Sequence, residues 1–195
     1  SDLAGFAVGI VENDKIIDGS EIHVGNKIVG IASNGLHSNG YSLVRKICFD
    51  VLHLGVDDYI PELQKTLGEE LIIPTRIYSE TILRLTRDLT INGFVHVTGG
   101  GIVNNLMRII PKACQVILKR ASWDVLPIFN FLQQAGKVGD DEMLRTFNNG
   151  IGLIAVVQEN LVQDVVERLN AMNERAFVIG EVVELKASEP RLKWV

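Results

Sequence analysis

The alternation of short apolar strands with amphipathic helical stripes is the feature that most constrains the fold of this chain. Residues 27–32, KIVGIA, form an apolar run of strand length, and apolar residues then recur at helical spacing over residues 41–52. Because helices that interleave with strands pack onto the faces of a sheet, we predict an α/β, or layered α+β, domain with a mixed β-sheet covered by helices.

The other elements are predicted from the same two periodicities. We predict strands over residues 4–11, 27–32, 92–97, 115–119, 151–157 and 176–185. We predict helices that begin near residues 41, 75, 102, 125, 140 and 161, and a short helix within residues 61–74. The helix from residue 102 is predicted to end at Ile110, because Pro111 follows. The helix that begins near residue 125 carries Pro127 in its first turn, where proline is tolerated.

Composition narrows the classes of partner. The chain has 195 residues, is 47% hydrophobic and carries a net charge of −5 with no run of Lys or Arg, which argues against nucleic acid or an anionic membrane as a partner. Cys48 and Cys114 lie in apolar segments, so we expect buried, reduced thiols in a cytoplasmic protein. No Cys/His cluster has zinc spacing, and we predict no metal site.

Residues 33–40, SNGLHSNG, separate the strand at 27–32 from the following helix and hold more Gly, Asn and Ser than a turn requires. The start of a helix offers free backbone N–H groups that favour anions, and glycines allow close approach of a phosphate. The alternative is a turn with a helix cap. We predict that His37 and Asn39 are catalytic and that the loop binds phosphate through Asn34, Gly35, Ser38 and Gly40.

A second loop, TGGG at residues 98–101, follows the strand that contains His96 and precedes another helix. The loop matches neither the Walker A nor the dinucleotide-binding pattern. Sites in α/β proteins gather at the carboxyl ends of strands, so we predict that His96 is catalytic, although a histidine in a strand can also be a core residue. The candidate phosphate ligands here are Thr98, Gly99, Gly100 and Gly101.

The third candidate segment is EMLRTFNNGIG at residues 142–152. Arg145 and Asn148 are predicted to bind phosphate, with a solvent-exposed helix position as the alternative for Arg145. His23 and His53 have no glycine loop beside them and are predicted to be surface residues.

These three segments, together with DLAGFAVGIVE at residues 2–12, resemble the phosphoribosylformylglycinamidine cyclo-ligase family, the aminoimidazole ribonucleotide synthetases. The resemblance covers residues 2 to about 183. It implies that residues 1–19 are remnant strands of an N-terminal ATP-binding domain that this chain lacks. Residues 20–195 would then be the C-terminal domain typical of this superfamily, with little activity expected from this chain alone.

The resemblance also implies a reaction. ATP activates the formyl oxygen of formylglycinamidine ribonucleotide, an internal nitrogen attacks, and the ring closes to aminoimidazole ribonucleotide. ATP and Mg²⁺ would act in the full-length enzyme, a homodimer, and none would be bound by this chain alone. Two alternatives remain open: another ATP-using member of the superfamily, such as a small-molecule kinase, or a non-catalytic module that binds a phosphorylated metabolite.

Overall fold

A mixed β-sheet is the centre of the computed structural model, which describes residues 5–195. The strands are β1 (Lys27–Ala32), β2 (Tyr59–Ile60), β3 (Lys65–Thr66), β4 (Gly93–His96), β5 (Cys114–Leu118), β6 (Ile151–Val157), β7 (Ala176–Glu184) and β8 (Leu192–Trp194). The helices are α1 (Tyr41–Arg45), α2 (Leu67–Leu71), α3 (Ser79–Asp88), α4 (Gly101–Leu106), α5 (Pro127–Gly136), α6 (Asp140–Thr146) and α7 (Val162–Ala171). A π-helix over Lys46–Val51 continues α1, and 3₁₀ turns occupy Asn13–Lys15 and Glu159–Leu161.

The order of the six sheet strands is β4-β6-β1-β7-β5-β8, and β2 and β3 form a separate hairpin. Neighbouring strands are antiparallel except β5 and β8, which are parallel. Because β6 lies antiparallel between β1 and β4, the carboxyl ends of β1 and β4 reach the same edge of the sheet as the start of β6. This edge carries all three candidate segments.

The two faces of the sheet are covered by different helices. Val29, Ile31 and Leu153 pack with residues of α3 and α7 on one face, because alternate strand side chains point the same way. Ile28 and Ile154 pack with residues of α4 on the other face. All seven residues of β6 are buried, as expected for a strand covered on both sides. A third apolar cluster joins α1, its π-helical continuation, α5 and α6.

The fold confirms the predicted class, a mixed sheet covered by helices, and the six longer predicted helices all form. The strand predicted over residues 4–11 is wrong where it can be judged: residues 5–11 are exposed and pair with no other strand within residues 5–195, and Ala4 lies outside the described residues. The predicted helix from residue 102 to 110 is shorter and ends at Leu106. The short strands β2, β3 and β8 were not predicted.

Several smaller predictions are confirmed. Cys48 and Cys114 are buried free thiols, and His23 and His53 are exposed. Pro127 is the first residue of α5, where its missing N–H has no helical partner to lose. Across residues 5–195, no helix combines the length and the apolarity that crossing a membrane requires.

Candidate functional site at the sheet edge

The three candidate segments meet at one edge of the sheet. The backbone N–H of Ser33, directly after β1, donates to the carbonyl oxygen of Gly150 at 2.8 Å. The N–H of Val97, directly after β4, donates to the carbonyl oxygen of Gly152 at 2.9 Å. The loop of residues 33–40 and the loop of residues 97–100 therefore flank the segment that enters β6.

The Asn148 carboxamide links the loop of residues 33–40 to the segment of residues 142–152 by hydrogen bonds. Its Oδ1 accepts from Ser33 Oγ at 2.9 Å and from the Gly150 N–H at 2.8 Å, and its Nδ2 donates to the Gly35 carbonyl at 2.9 Å. The side chain is 1% exposed. In this conformation Asn148 holds the loops together through both ends of its carboxamide, while one of its two amide hydrogens has no partner among the described residues. Its role as a phosphate ligand stays a prediction.

The helices α1 and α4 both begin against the end of α6. Gly40, which precedes α1, has φ of 75°, and a Cβ there would lie 2.3 Å from Phe147 Cε1. Gly101, the first residue of α4, has φ of 65°, and a Cβ there would lie 1.9 Å from the Leu144 carbonyl oxygen. Only glycine fits either position, so these glycines bring both helix starts to the same few residues.

Free backbone donors line both loops. Among the described residues, the N–H groups of residues 36–42 donate no hydrogen bond, and neither do those of residues 99, 100, 102 and 103. Arg145, in the last turn of α6, is exposed and has no ion pair or hydrogen bond within residues 5–195. The two sets of unpaired donors form a surface suited to an anion, and Arg145 lies in the helix against which both loops pack.

Tyr78 lies between the two candidate histidines. Its ring centroid is 6.2 Å from that of His37 and 6.2 Å from that of His96. The Tyr78 hydroxyl donates to the Ala32 carbonyl at 2.7 Å, at the end of β1. A Cβ at position 152 would lie 2.1 Å from the Tyr78 hydroxyl and 2.6 Å from His37 Cε1, so Gly152 makes room for both rings.

The imidazole of His37 is buried and neutral at pH 7. It is 3% exposed, and burial lowers its pKa to about 4, with the charges of His96 and Arg76 adding to the effect. His37 Nε2 lies 2.8 Å from Asn34 Oδ1, an acceptor, and 3.4 Å from the Asn34 backbone nitrogen, a donor. We place the ring proton on Nε2 because the contact with Oδ1 is the shorter of the two. Nδ1 is then an acceptor, and it has no partner among the described residues.

The remaining predicted residues lie in the same two loops. Ser38 Oγ is 2.8 Å from Thr75 Oγ1, and Asn39 is half-buried. His96 is exposed at the end of β4. Thr98 Oγ1 donates to Asn105 Oδ1 at 3.2 Å. Every predicted site residue therefore lies in one of the three segments that meet at this edge of the sheet.

Sequence reasoning missed two residues that support the site. Tyr78 falls within the helix predicted to begin near residue 75 and was not singled out, since the local pattern does not show that its hydroxyl is bonded to a strand carbonyl. Asn105 is buried, and its Nδ2 donates to the carbonyl oxygens of Gly101 at 2.8 Å and of Thr98 and Gly99 at 3.2 Å. This one carboxamide fixes the course of the second glycine loop.

The site fits a phosphate group better than it fits Mg²⁺. Magnesium on ATP needs one or two carboxylates beside the phosphates. The Glu70 carboxylate lies 3.8 Å from the Cβ position of Gly35, and it is paired with Lys65 at 3.1 Å. Across residues 5–195, no three His, Cys, Asp or Glu side chains cluster as metal ligands would.

Comparison with known proteins shows that the chain matches one protein family. Residues 23–193 match the family described as AIR synthase related protein, C-terminal domain. The chain is 52% identical over 193 residues to a phosphoribosylformylglycinamidine cyclo-ligase of Desulfatibacillum aliphaticivorans, covering 99% of this chain and 56% of that protein. The chain spans about half the length of the curated relatives it matches.

Solved structures with the same fold are far less similar in sequence. The thiamine-monophosphate kinase of Stenotrophomonas maltophilia K279a superposes with a TM-score of 0.64 at 13% identity, over 94% of this chain and 54% of that one. T. maritima PurL complexed with ADP gives a TM-score of 0.54 at 16% identity, over 91% of this chain and 24% of that one. These likenesses show the fold alone.

Proposed function

Because the chain belongs to the AIR synthase related protein family, whose C-terminal domain it matches, we propose that it is the C-terminal part of a phosphoribosylformylglycinamidine cyclo-ligase. In the full-length protein, ATP would activate the formyl oxygen of formylglycinamidine ribonucleotide, and attack by an internal nitrogen would close the imidazole ring. The observation that carries this proposal is the convergence of two glycine loops with free N–H groups and two histidines at one sheet edge.

We propose that the N–H groups of the two loops and Arg145 bind the phosphate of the ribonucleotide substrate. Several backbone N–H groups hold an anion without a counter-charge, and the glycines leave the backbone open to close approach. Gly99 has no other atom within 4 Å of its Cβ position, which supports access to that loop. Asn148 and Asn105 position the loops.

We propose that His37 and His96 carry protons during ring closure and that Asn39 orients the substrate. In the free chain the low pKa of His37 makes it a weak base at pH 7. A bound phosphate dianion nearby would favour the imidazolium and raise that pKa. Substrate binding would thereby prepare His37 for proton transfer.

ATP and Mg²⁺ are proposed to be held by the part of the full-length protein that lies outside this chain. The support for this division is the lack of a carboxylate cluster among residues 5–195. A homodimer is proposed for the full-length protein on the resemblance alone.

The test is steady-state kinetics of the full-length protein that contains this segment. His37→Ala and His96→Ala are expected to lower kcat by roughly 10²–10⁴-fold, the usual contribution of general acid–base catalysis. His53→Ala, an exposed histidine away from the edge, is the control and should leave kcat unchanged. An unchanged kcat in both site variants would remove the histidines from the mechanism. Transfer of phosphate to a stable product would instead indicate a kinase. Binding of the ribonucleotide without turnover would indicate a non-catalytic module.

A further inference from the structure

The chain contains four Asn-Gly pairs, and one of them lacks the hydrogen bonds that hold the other three. The pairs begin at Asn34, Asn39, Asn92 and Asn149. At such a pair the glycine backbone nitrogen can attack Cγ of the asparagine side chain, forming a succinimide and releasing ammonia. Water then opens the ring to aspartate or isoaspartate. The net change is asparagine plus water to a carboxylate plus ammonium, since the released ammonia takes up the proton of the new acid. Glycine favours the attack because it has no side chain to obstruct it.

Two of the pairs are buried and held by hydrogen bonds. Asn92 Nδ2 donates to the Glu21 carbonyl at 2.7 Å, and Asn92 is 4% exposed. Asn149 Nδ2 donates to the carbonyl oxygens of Met143 and Phe147 at 2.9 and 3.0 Å. The nitrogen that would attack Asn149, that of Gly150, is itself engaged with Asn148 Oδ1 at 2.8 Å.

Asn34 is exposed but held at both ends of its carboxamide. Its Nδ2 donates to the Pro74 carbonyl at 3.1 Å, and its Oδ1 accepts from His37 Nε2 at 2.8 Å. These two bonds fix the direction of the side chain, and the attack geometry requires that they break.

Asn39 has none of these restraints. Within residues 5–195 its carboxamide makes no hydrogen bond, and the Gly40 N–H donates none. The side chain is half-buried, so water can reach it to open a succinimide. We propose that Asn39 is a site of spontaneous deamidation in the folded chain and that the other three Asn-Gly pairs are protected by their contacts.

The new carboxylate would form next to the free N–H groups at the start of α1. A negative charge there is favourable for a helix, so the chain with aspartate at position 39 keeps its fold. If those N–H groups bind phosphate, which rests on the proposed function, the carboxylate competes for them. Conversion to aspartate would then weaken anion binding at the loop while leaving the protein folded.

The expected selectivity follows from the protecting contacts. Two hydrogen bonds of typical net strength must break at Asn34 or Asn149 before attack, which corresponds to a reaction roughly 10- to 30-fold slower than at Asn39. In urea, where the contacts are absent, the four pairs should react at similar rates.

The experiment is incubation of the purified chain at mildly alkaline pH and 37 °C, with and without urea, followed by proteolysis and fragmentation mass spectrometry. Fragmentation is needed because Asn34 and Asn39 lie in the same tryptic peptide. The expected result is selective conversion at position 39 in the folded chain and loss of that conversion in Asn39→Gln. Conversion of Asn34, Asn92 or Asn149 as fast as Asn39 in the folded chain would overturn the proposal, as would an unmodified Asn39 under conditions that modify the urea-treated chain.

A second readout separates this inference from the proposed function. Inorganic phosphate is titrated into the ¹⁵N-labelled chain, and the Gly40 and Gly99 amide shifts are followed. Asn39→Asp should weaken binding by several-fold relative to Asn39→Gln. If mass spectrometry shows selective deamidation but neither variant nor the unmodified chain binds phosphate, the modification site stands and the phosphate assignment fails.

Discussion

At the scale of single residues, His37 and His53 are a matched pair that differ in burial. Both have a left-handed backbone, with φ of 56° and 55°. Asparagine tolerates that conformation, so it can replace either histidine without backbone strain. His37 is buried and has a pKa of about 4, whereas an unfolded histidine titrates at 6.5. Between these pH values the unfolded chain binds more protons than the folded chain. The free energy of unfolding should therefore fall as the pH is lowered through this window.

This pH dependence should amount to about 3 kcal/mol between pH 7 and pH 4, since each pKa unit corresponds to about 1.4 kcal/mol. Urea unfolding at several pH values measures this dependence in three proteins: the unmodified chain, the His37→Asn variant and the His53→Asn variant. His37→Asn should lose this part of the pH dependence, and His53→Asn should retain it. The quantity to compare is the slope of the free energy of unfolding against pH, because replacing a buried ring also lowers stability at every pH. Equal slopes in all three proteins would contradict a depressed pKa at His37.

At the scale of elements, the start of α4 depends on glycine at position 101 and not at position 99. Gly101→Ala would place a methyl group 1.9 Å from the Leu144 carbonyl oxygen at a φ of 65°, and should lower the free energy of unfolding by about 3 kcal/mol or more. Gly99→Ala meets no atom within 4 Å and should change it by less than about 0.5 kcal/mol. Chemical denaturation of the two variants measures the difference. Similar losses in the free energy of unfolding would show that the start of α4 does not pack tightly against α6.

Sequence periodicity predicted the longer elements because their burial pattern is local. The apolar run of β6 and the helical stripe of α7 can be read from consecutive residues, and both form. The strand β8 has only three residues, and the hairpin of β2 and β3 has two in each strand, so neither shows a period. These short strands form through pairing with partners that a local pattern does not reveal.

The candidate site was predicted in parts, and its assembly was not. Each glycine loop is recognisable by composition, but the sequence does not state that β6 lies between β1 and β4. That order is what brings the loops together. Asn148 shows the same limit, because only the fold reveals that its carboxamide joins Ser33, Gly35 and Gly150.

At the scale of the whole molecule, the described residues form the apolar cores of a folded domain, and the groups that hold Mg–ATP are proposed to lie outside this chain. Apolar clusters occupy both faces of the sheet, and a third lies between α1, α5 and α6, which predicts cooperative unfolding of the isolated chain. The acidic residues Asp57, Asp58, Asp140 and Asp141 are exposed, and no three metal-ligating side chains come together within residues 5–195. We therefore expect a folded chain without turnover.

The measurement is ADP release from Mg–ATP and formylglycinamidine ribonucleotide, with the full-length protein as the positive control and circular dichroism to establish that the isolated chain is folded. The isolated chain should release no ADP above the enzyme-free rate, because positioning a reactive phosphoryl group requires the metal and its carboxylates beside the loops. The same sample should still bind inorganic phosphate, since the free N–H groups belong to this chain. ADP release near that of the full-length protein would place the ATP site within these 195 residues and would contradict the proposed division of the enzyme.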